Sequence, residues 1–107
     1  MSEAEECITN AHKVCKIMFS EKKAKSVSEQ MKLLAHPTRL QILKILSKED
    51  QCVCIFAEAL GKRQPNISQH LGKLKDNDII ESYMRGKYAY YTLKDPNVKK
   101  LVKSLGF

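Results

Sequence analysis

Apolar positions recur at helical spacing along most of this chain and give way near its end to two runs of aromatic and β-branched residues. From Glu3 to Phe19 the spacing predicts a helix, with Cys7, Ala11, Val14 and Met18 on one face and acids in the first turn, where the helix dipole favours them. Ser20 to Ser28 is rich in Lys and Ser with little periodicity and reads as a connection. The helical pattern resumes from Val27 to Leu34 and stops at Ala35-His36, because the residue before a proline is pushed out of the α region. Pro37 then opens a helix, PTRLQILKILS, with proline at the first position. Leu40, Ile42, Leu43, Ile45 and Leu46 wrap most of its circumference, which predicts a central, nearly all-buried helix with Arg39 and Lys44 pointing outward.

After the polar turn Lys48 to Gln51 come Cys52-Val53-Cys54 and a short amphipathic run, Ile55 to Leu60. Gly61 allows a tight turn, and Pro65 suits the first turn of a further helix through Lys75. At about 100° per residue, Ile67, Leu71 and Leu74 form one stripe and Asn66, Gln69, His70 and Lys73 an opposing polar arc. Two short helices joined by a glycine-containing turn, the second exposing amide, imidazole and cationic groups, make a helix-turn-helix with a recognition helix. A solvated face on an ordinary surface helix is the alternative, and the sequence that follows weighs against it. Asp76-Asn77-Asp78 stops the helix, and IIESYM and YAYYTL flank Arg85-Gly86-Lys87 as a hairpin. A tip with two cations and a glycine directly after a recognition helix fits a wing that straddles phosphates or probes a minor groove.

Asp95 to Phe107 closes the chain as a helix with Val98, Leu101, Val102 and Leu105 on one face. So small a protein has little core left for that stripe, so this helix and the N-terminal one are expected to pair with a second subunit. The fold class is thus mostly α with a β-hairpin wing, a homodimeric winged helix-turn-helix. It is expected to be one domain over 1–107, with an N-terminal helix and connection over 1–28, the helix-turn-helix over 54–75, the wing over 79–93 and a dimerisation helix over 95–107.

Charge sharpens this picture. The formal net charge is +7, yet residues 1–20 carry two Lys against three Glu, whereas residues 51–107 carry ten Lys or Arg against five Asp or Glu. The basic excess lies with the recognition helix, and nucleic acid is the partner such a field favours, since each neutralised phosphate releases counterions. No apolar run reaches the length of a membrane span, and the acidic start MSEAEEC lacks the basic region of a secretory signal. We therefore expect a cytoplasmic protein with no membrane partner. In that compartment four cysteines read as metal ligands, redox thiols or core residues rather than a disulfide framework. No nucleophile and base stand out as a pair, which weighs against an enzyme.

The order LLAHPTRLQILKIL, CVC, EALGKRQPNISQHLGKLKDNDIIES and YMRGKYAYYTL, from Met31 to Leu93, resembles the ArsR/SmtB family of metal-responsive winged-helix repressors. The resemblance implies a homodimer that binds an imperfect palindrome in double-stranded operator DNA and leaves it when an inducer binds. It assigns Gln64, Asn66, Ser68, Gln69 and His70 to base edges or helix positioning, and Arg63, Lys73, Arg85 and Lys87 to phosphates or the minor groove. His70 can equally be a packed polar residue at the helix junction, and His36 reads simply as the residue before the Pro37 helix. Two departures stand out: Arg63 replaces the usual Ser N-cap, and Ile55-Phe56 follows Cys-x-Cys where an acid and Leu are common.

Cys52 and Cys54 would diverge by about 200° inside a regular helix, so sharing an ion requires an extended or irregular helix start. In similar sensors this Cys-x-Cys is half of a thiolate site, the other half coming from Cys7 or Cys15. Those two are eight residues apart, roughly 12 Å along an intact helix, so both can reach one ion only if that helix unwinds. Cys15 with the pair would make a three-thiolate site for As(III) or Pb(II); Cys7 would add a fourth ligand for Cd(II) or Zn(II). His12 is a lesser candidate, and a buried role for Cys7 and Cys15 stays open. The sequence thus predicts a repressor released by a thiophilic metal or metalloid and needing no cofactor to bind DNA. The alternatives are a thiol-based redox repressor of the same fold and a constitutive DNA-packaging protein.

Overall fold

The computed structural model describes residues 3–106; Met1, Ser2 and the predicted helix end at Phe107 lie outside them. The order is α1 (Glu3–Cys15), α2 (Glu21–Leu34), α3 (Pro37–Leu46), β1 (Gln51–Cys52), α4 (Val53–Leu60), α5 (Gln64–Asp76), β2 (Ile80–Arg85), β3 (Tyr88–Leu93) and α6 (Pro96–Leu105). The chain falls into two compact units, Met1–Met31 and Lys32–Phe107, with α2 running across the boundary.

In the first unit α1 stops at Cys15, four residues short of the expected Phe19, in a turn where Ile17 N–H donates to Val14 O at 3.0 Å. None of its described residues is buried. The stretch Ser20 to Ser28, expected to be a connection, instead holds the first half of α2 from Glu21 on. Ser20 supplies the reason: its Oγ accepts from Lys23 N–H at 3.2 Å, the bond an N-cap makes, and Glu21 sits in the first turn. Lys, Ala and Glu are good helix formers, so this segment is helical without an apolar face to advertise it.

The second unit is built on α3. His36 caps it, with extended backbone and Nδ1 accepting from Thr38 N–H at 3.1 Å, and Pro37 fills the first turn. Ile42, Leu43 and Leu46 form the core with Phe56 of α4, Ile67, Leu71 and Leu74 of α5, Ile79, and Ile80 of β2. Two expectations for α3 are corrected. Leu40 is 38% exposed, so the helix is buried on one side rather than all round, and Arg39 and Lys44 are both half-buried instead of outward. Gly61 ends α4 in the left-handed region at φ 62°, letting Lys62 N–H reach back to Ala57 O at 3.1 Å. Arg63 begins α5 with no side-chain cap, the cost of lacking Ser there.

The sheet order is β1-β3-β2, antiparallel throughout, with Gly86 at φ 62° in the tip between β2 and β3. Asp95 caps α6 by accepting from the N–H groups of Asn97 and Val98 at 2.9 and 3.3 Å. The C-terminal stripe was expected to lack a core within its own chain. Val98 and Val102 are instead buried in the common core, and only the far end of the stripe, Leu105 at 50%, remains exposed. No described helix is long and apolar enough to cross a membrane.

Candidate nucleic-acid interface and thiol pair

The α5 helix separates its residues as the periodicity predicts. Ile67, Leu71 and Leu74 are fully buried, while Gln64, Asn66, Ser68, Gln69 and Lys73 are exposed, together with Arg63 just before it. Buried residues on one side fix the helix against α3 and α4, and the amides on the other stand free to meet base edges. A cleft of about 470 Å³ beside them is lined by Arg39, Gln69, His70, Gly72, Lys73 and Asp76.

His70 is set apart from that polar arc. It is half-buried, its Nδ1 accepts from Arg39 Nε at 3.1 Å, and its ring lies 4.4 Å from that of His36. Arg39 also donates through Nη1 to Leu33 O at 2.9 Å. These contacts join the recognition helix to the start of α3, the junction role that the sequence left open. Sequence reading missed Arg39 as the partner, since the two residues are 31 positions apart.

Burial, then the electrostatic influence of the neighbouring His36, Arg39 and Lys62, holds the His70 pKa below its ordinary value. As pH falls, the unfolded chain binds this proton first, so stability present above about pH 6.5 is lost as pH drops through the lowered folded value. Urea midpoints measured near pH 7.5 and near pH 5.5 should therefore fall less in His70→Gln than in the wild type. An equal fall in both would contradict the assignment.

At the wing, Lys87 is exposed in the tip, while Arg85 is held over the sheet. Its guanidinium lies 4.2 Å from the Tyr90 ring centroid, and Nη2 donates to Tyr83 Oη at 3.0 Å. Tyr83 in turn donates to Asp50 Oδ2 at 2.6 Å. That hydrogen bond is the main cause lowering the Asp50 pKa and raising that of Tyr83. Asp50, Tyr83 and Tyr90 were not singled out in the sequence; the Tyr83–Tyr90 pairing follows from the hairpin register, whereas nothing local marks Asp50. Arg85→Ala or Lys87→Ala should weaken binding to every duplex and make the salt dependence shallower by about one unit for each phosphate no longer neutralised. An unchanged slope would refute the phosphate role.

The thiols meet the condition set by their spacing. Cys52 is the N-cap of α4 in extended conformation, φ −92° and ψ 163°, and this irregular start brings its Sγ to 2.8 Å from that of Cys54. Cys52 is 7% exposed and Cys54 is exposed. The hydrogen bond between the two thiols, aided by backbone N–H groups at the helix start, draws the Cys52 thiol pKa down against the opposing effect of burial; the same bond raises that of Cys54. Two converging sulfurs fit half of a soft-metal site. Cys7 and Cys15 are exposed on α1, in the first unit. Among the described residues, no group of three or more His, Cys, Asp or Glu is assembled.

A buried-backed recognition helix, a preceding short helix and a basic hairpin define a winged helix-turn-helix protein, the architecture of a DNA-binding regulator. Residues 36–82 match the family described as "Bacterial regulatory protein, arsR family". The chain is 38% identical over 82 residues to "Uncharacterized HTH-type transcriptional regulator MJ1325" of Methanocaldococcus jannaschii, covering 76% of this chain and 92% of that one. It is 35% identical to the "Arsenical resistance operon repressor" of Staphylococcus xylosus, covering 64% and 66%. It is 34% identical to the "Cadmium resistance transcriptional regulatory protein CadC" of Listeria innocua, covering 73% and 66%. Reduced HlyU from Vibrio cholerae has a similar structure, with TM-score 0.75 and 28% identity over 79% of this chain and 90% of that one. The chain belongs to the ArsR family. It is a DNA-binding transcriptional regulator and not an enzyme.

Proposed function

We propose that the protein is a repressor that binds operator DNA as a homodimer and leaves it when a thiophilic metal or metalloid binds its cysteine thiolates. The observation carrying this reading is the 2.8 Å approach of Cys52 and Cys54 at the start of α4, the first helix of the helix-turn-helix. An ion there would pull on the element whose packing sets α5. The arsenical and cadmium functions in the relatives' names support the choice of inducer.

Cys15 is the third ligand in this reading, and Cys7 a fourth if α1 opens. Apolar side chains left exposed within each unit, Ile8, Val14, Ile17, Met18 and Phe19 in the first and Leu40 and Leu105 in the second, are the surfaces a second subunit would cover. Gln64, Asn66, Ser68 and Gln69 read or position against bases, the amides being suited to adenine. Arg63, Lys73, Arg85 and Lys87 meet phosphates or the minor groove, and His70 sets the helix junction.

Selection of duplexes from a random pool tests the regulator against a packaging protein, because a regulator enriches one palindrome by orders of magnitude. Gln69→Ala should then cost about 1–3 kcal/mol on the selected operator and almost nothing on random DNA. Equal weakening on both would remove Gln69 from base reading.

A further inference from the structure

The three-stranded sheet collects the thiol strand and the wing arginine on one face. With the order β1-β3-β2, Cys52 pairs with Tyr90 and Tyr90 with Tyr83, so these three residues form one row across the strands. Directly opposed residues of antiparallel strands share a face, and so do residues two apart on one strand, which adds Arg85 next to Tyr83. Asp50 immediately precedes β1, two residues before Cys52.

Side-chain contacts join Arg85, Tyr83 and Tyr90 to one another, with Asp50 attached through Tyr83. Arg85 lies against the Tyr90 ring at 4.2 Å and donates to Tyr83 Oη at 3.0 Å; Tyr83 donates to Asp50 at 2.6 Å. The rings of Tyr83 and Tyr90 themselves stack at 6.1 Å. An exposed wing arginine without such neighbours would sample many rotamers and lose that freedom on meeting DNA. Here a hydroxyl and two aromatic faces hold the guanidinium, and neither kind of contact neutralises its charge.

We infer that Asp50, Tyr83 and Tyr90 are positioning residues for Arg85, and that they tie the wing guanidinium to the backbone at Cys52. A displacement of β1 by an ion on the thiols would then shift Tyr90 through the strand pairing and Asp50 through the chain. Both supports of Arg85 would move together, so the inducer acts at the wing as well as at α5. The link to the thiols rests on the proposed inducer site; the positioning of Arg85 does not.

The experiment has two arms, both on the full-length protein and its selected operator, read by fluorescence anisotropy. The first is a metal-free double-mutant cycle of Tyr83→Phe with Arg85→Ala, since Phe keeps the ring and removes only the hydroxyl. Tyr83→Phe should weaken operator binding roughly fivefold with Arg85 present and leave it unchanged in the Arg85→Ala background. The same loss in both backgrounds would overturn the positioning role. Asp50→Asn should behave as a milder Tyr83→Phe in the same cycle. The second arm adds Cd(II). Tyr83→Phe should keep the sulfur-to-cadmium charge-transfer band of the wild type yet show a cadmium-induced drop in affinity at least about fivefold smaller. A full drop would overturn the link to the thiols. If the wild type itself shows no charge-transfer band, the inducer-site reading and the thiol link fail together, while the first arm still decides the role of Arg85.

Discussion

Phe56→Ala is expected to destabilise the protein by about 3–5 kcal/mol, the usual cost of emptying a buried phenylalanine site. Phe56 has 0% exposure and lies in the cluster that joins α3, α4 and α5, so the cavity opens where the recognition helix is seated. A domain of this size has a total stability of only about 5–15 kcal/mol. The variant should therefore unfold at much lower urea concentration and lose DNA binding near ambient temperature. Urea denaturation followed by circular dichroism measures the loss; a cost under about 1 kcal/mol would mean the site collapses without a cavity. The position carries a second lesson. Where the family resemblance leads one to expect an acid and Leu, Ile55 stands 44% exposed and Phe56 fills the core.

Cys52→Ser and Cys54→Ser should each leave a repressor that binds its operator and no longer lets go. Both positions lie outside α5 and the β2–β3 hairpin, neither change alters the backbone pairing of Cys52 with Tyr90, and serine is close to cysteine in size and can still hydrogen-bond at the start of α4. What it removes is the soft donor. Inducer-dependent changes in affinity typically span about 5- to 150-fold, and in these variants the ratio should fall to near one. Cys15→Ser should weaken the response, and Cys7→Ser should matter only if α1 unwinds, because eight residues of intact helix span about 12 Å. Operator binding of each variant with and without Cd(II) gives the answer. A Cys52→Ser protein that still releases would place the inducer elsewhere. Coupling is reciprocal, so operator DNA should weaken metal binding in the wild type by the same factor that metal weakens DNA binding.

Periodicity located the helices and the hairpin that bury one face against the core, but not the two-residue β1, whose Gln51 was assigned to the polar turn Lys48 to Gln51. The α3 and α5 helices, the hairpin and α6 are where the apolar spacing puts them, and Pro37, Gly61 and Pro65 mark helix ends for the backbone reasons expected of them. It failed where no face is buried. The first half of α2 is helical through its Ser20 cap and its composition, signals weaker than an apolar stripe. It also misjudged how a small core is shared: Val98 and Val102 were assigned to a partner because spacing cannot show that α3 leaves one side open to receive them.

The candidate site was legible in the same uneven way. The exposed amides of α5 and the two wing cations follow from local pattern, as does the requirement that Cys52 and Cys54 converge only outside regular helix geometry. The Arg39–His70 bond and the Asp50–Tyr83 bond join positions 31 and 33 residues apart. Such pairs depend on how the elements pack, and no periodicity encodes them.

Thiophilic ions at the cysteines should release this regulator from DNA. The most direct test is wild-type operator binding by fluorescence anisotropy under reducing, anaerobic conditions, with and without As(III), Cd(II), Pb(II) and Zn(II). Affinity should fall on adding the ions, with As(III), Cd(II) or Pb(II) acting ahead of Zn(II) because soft donors favour them. If no ion changes the affinity while a mild oxidant abolishes it, the account is contradicted and the thiols form a redox switch.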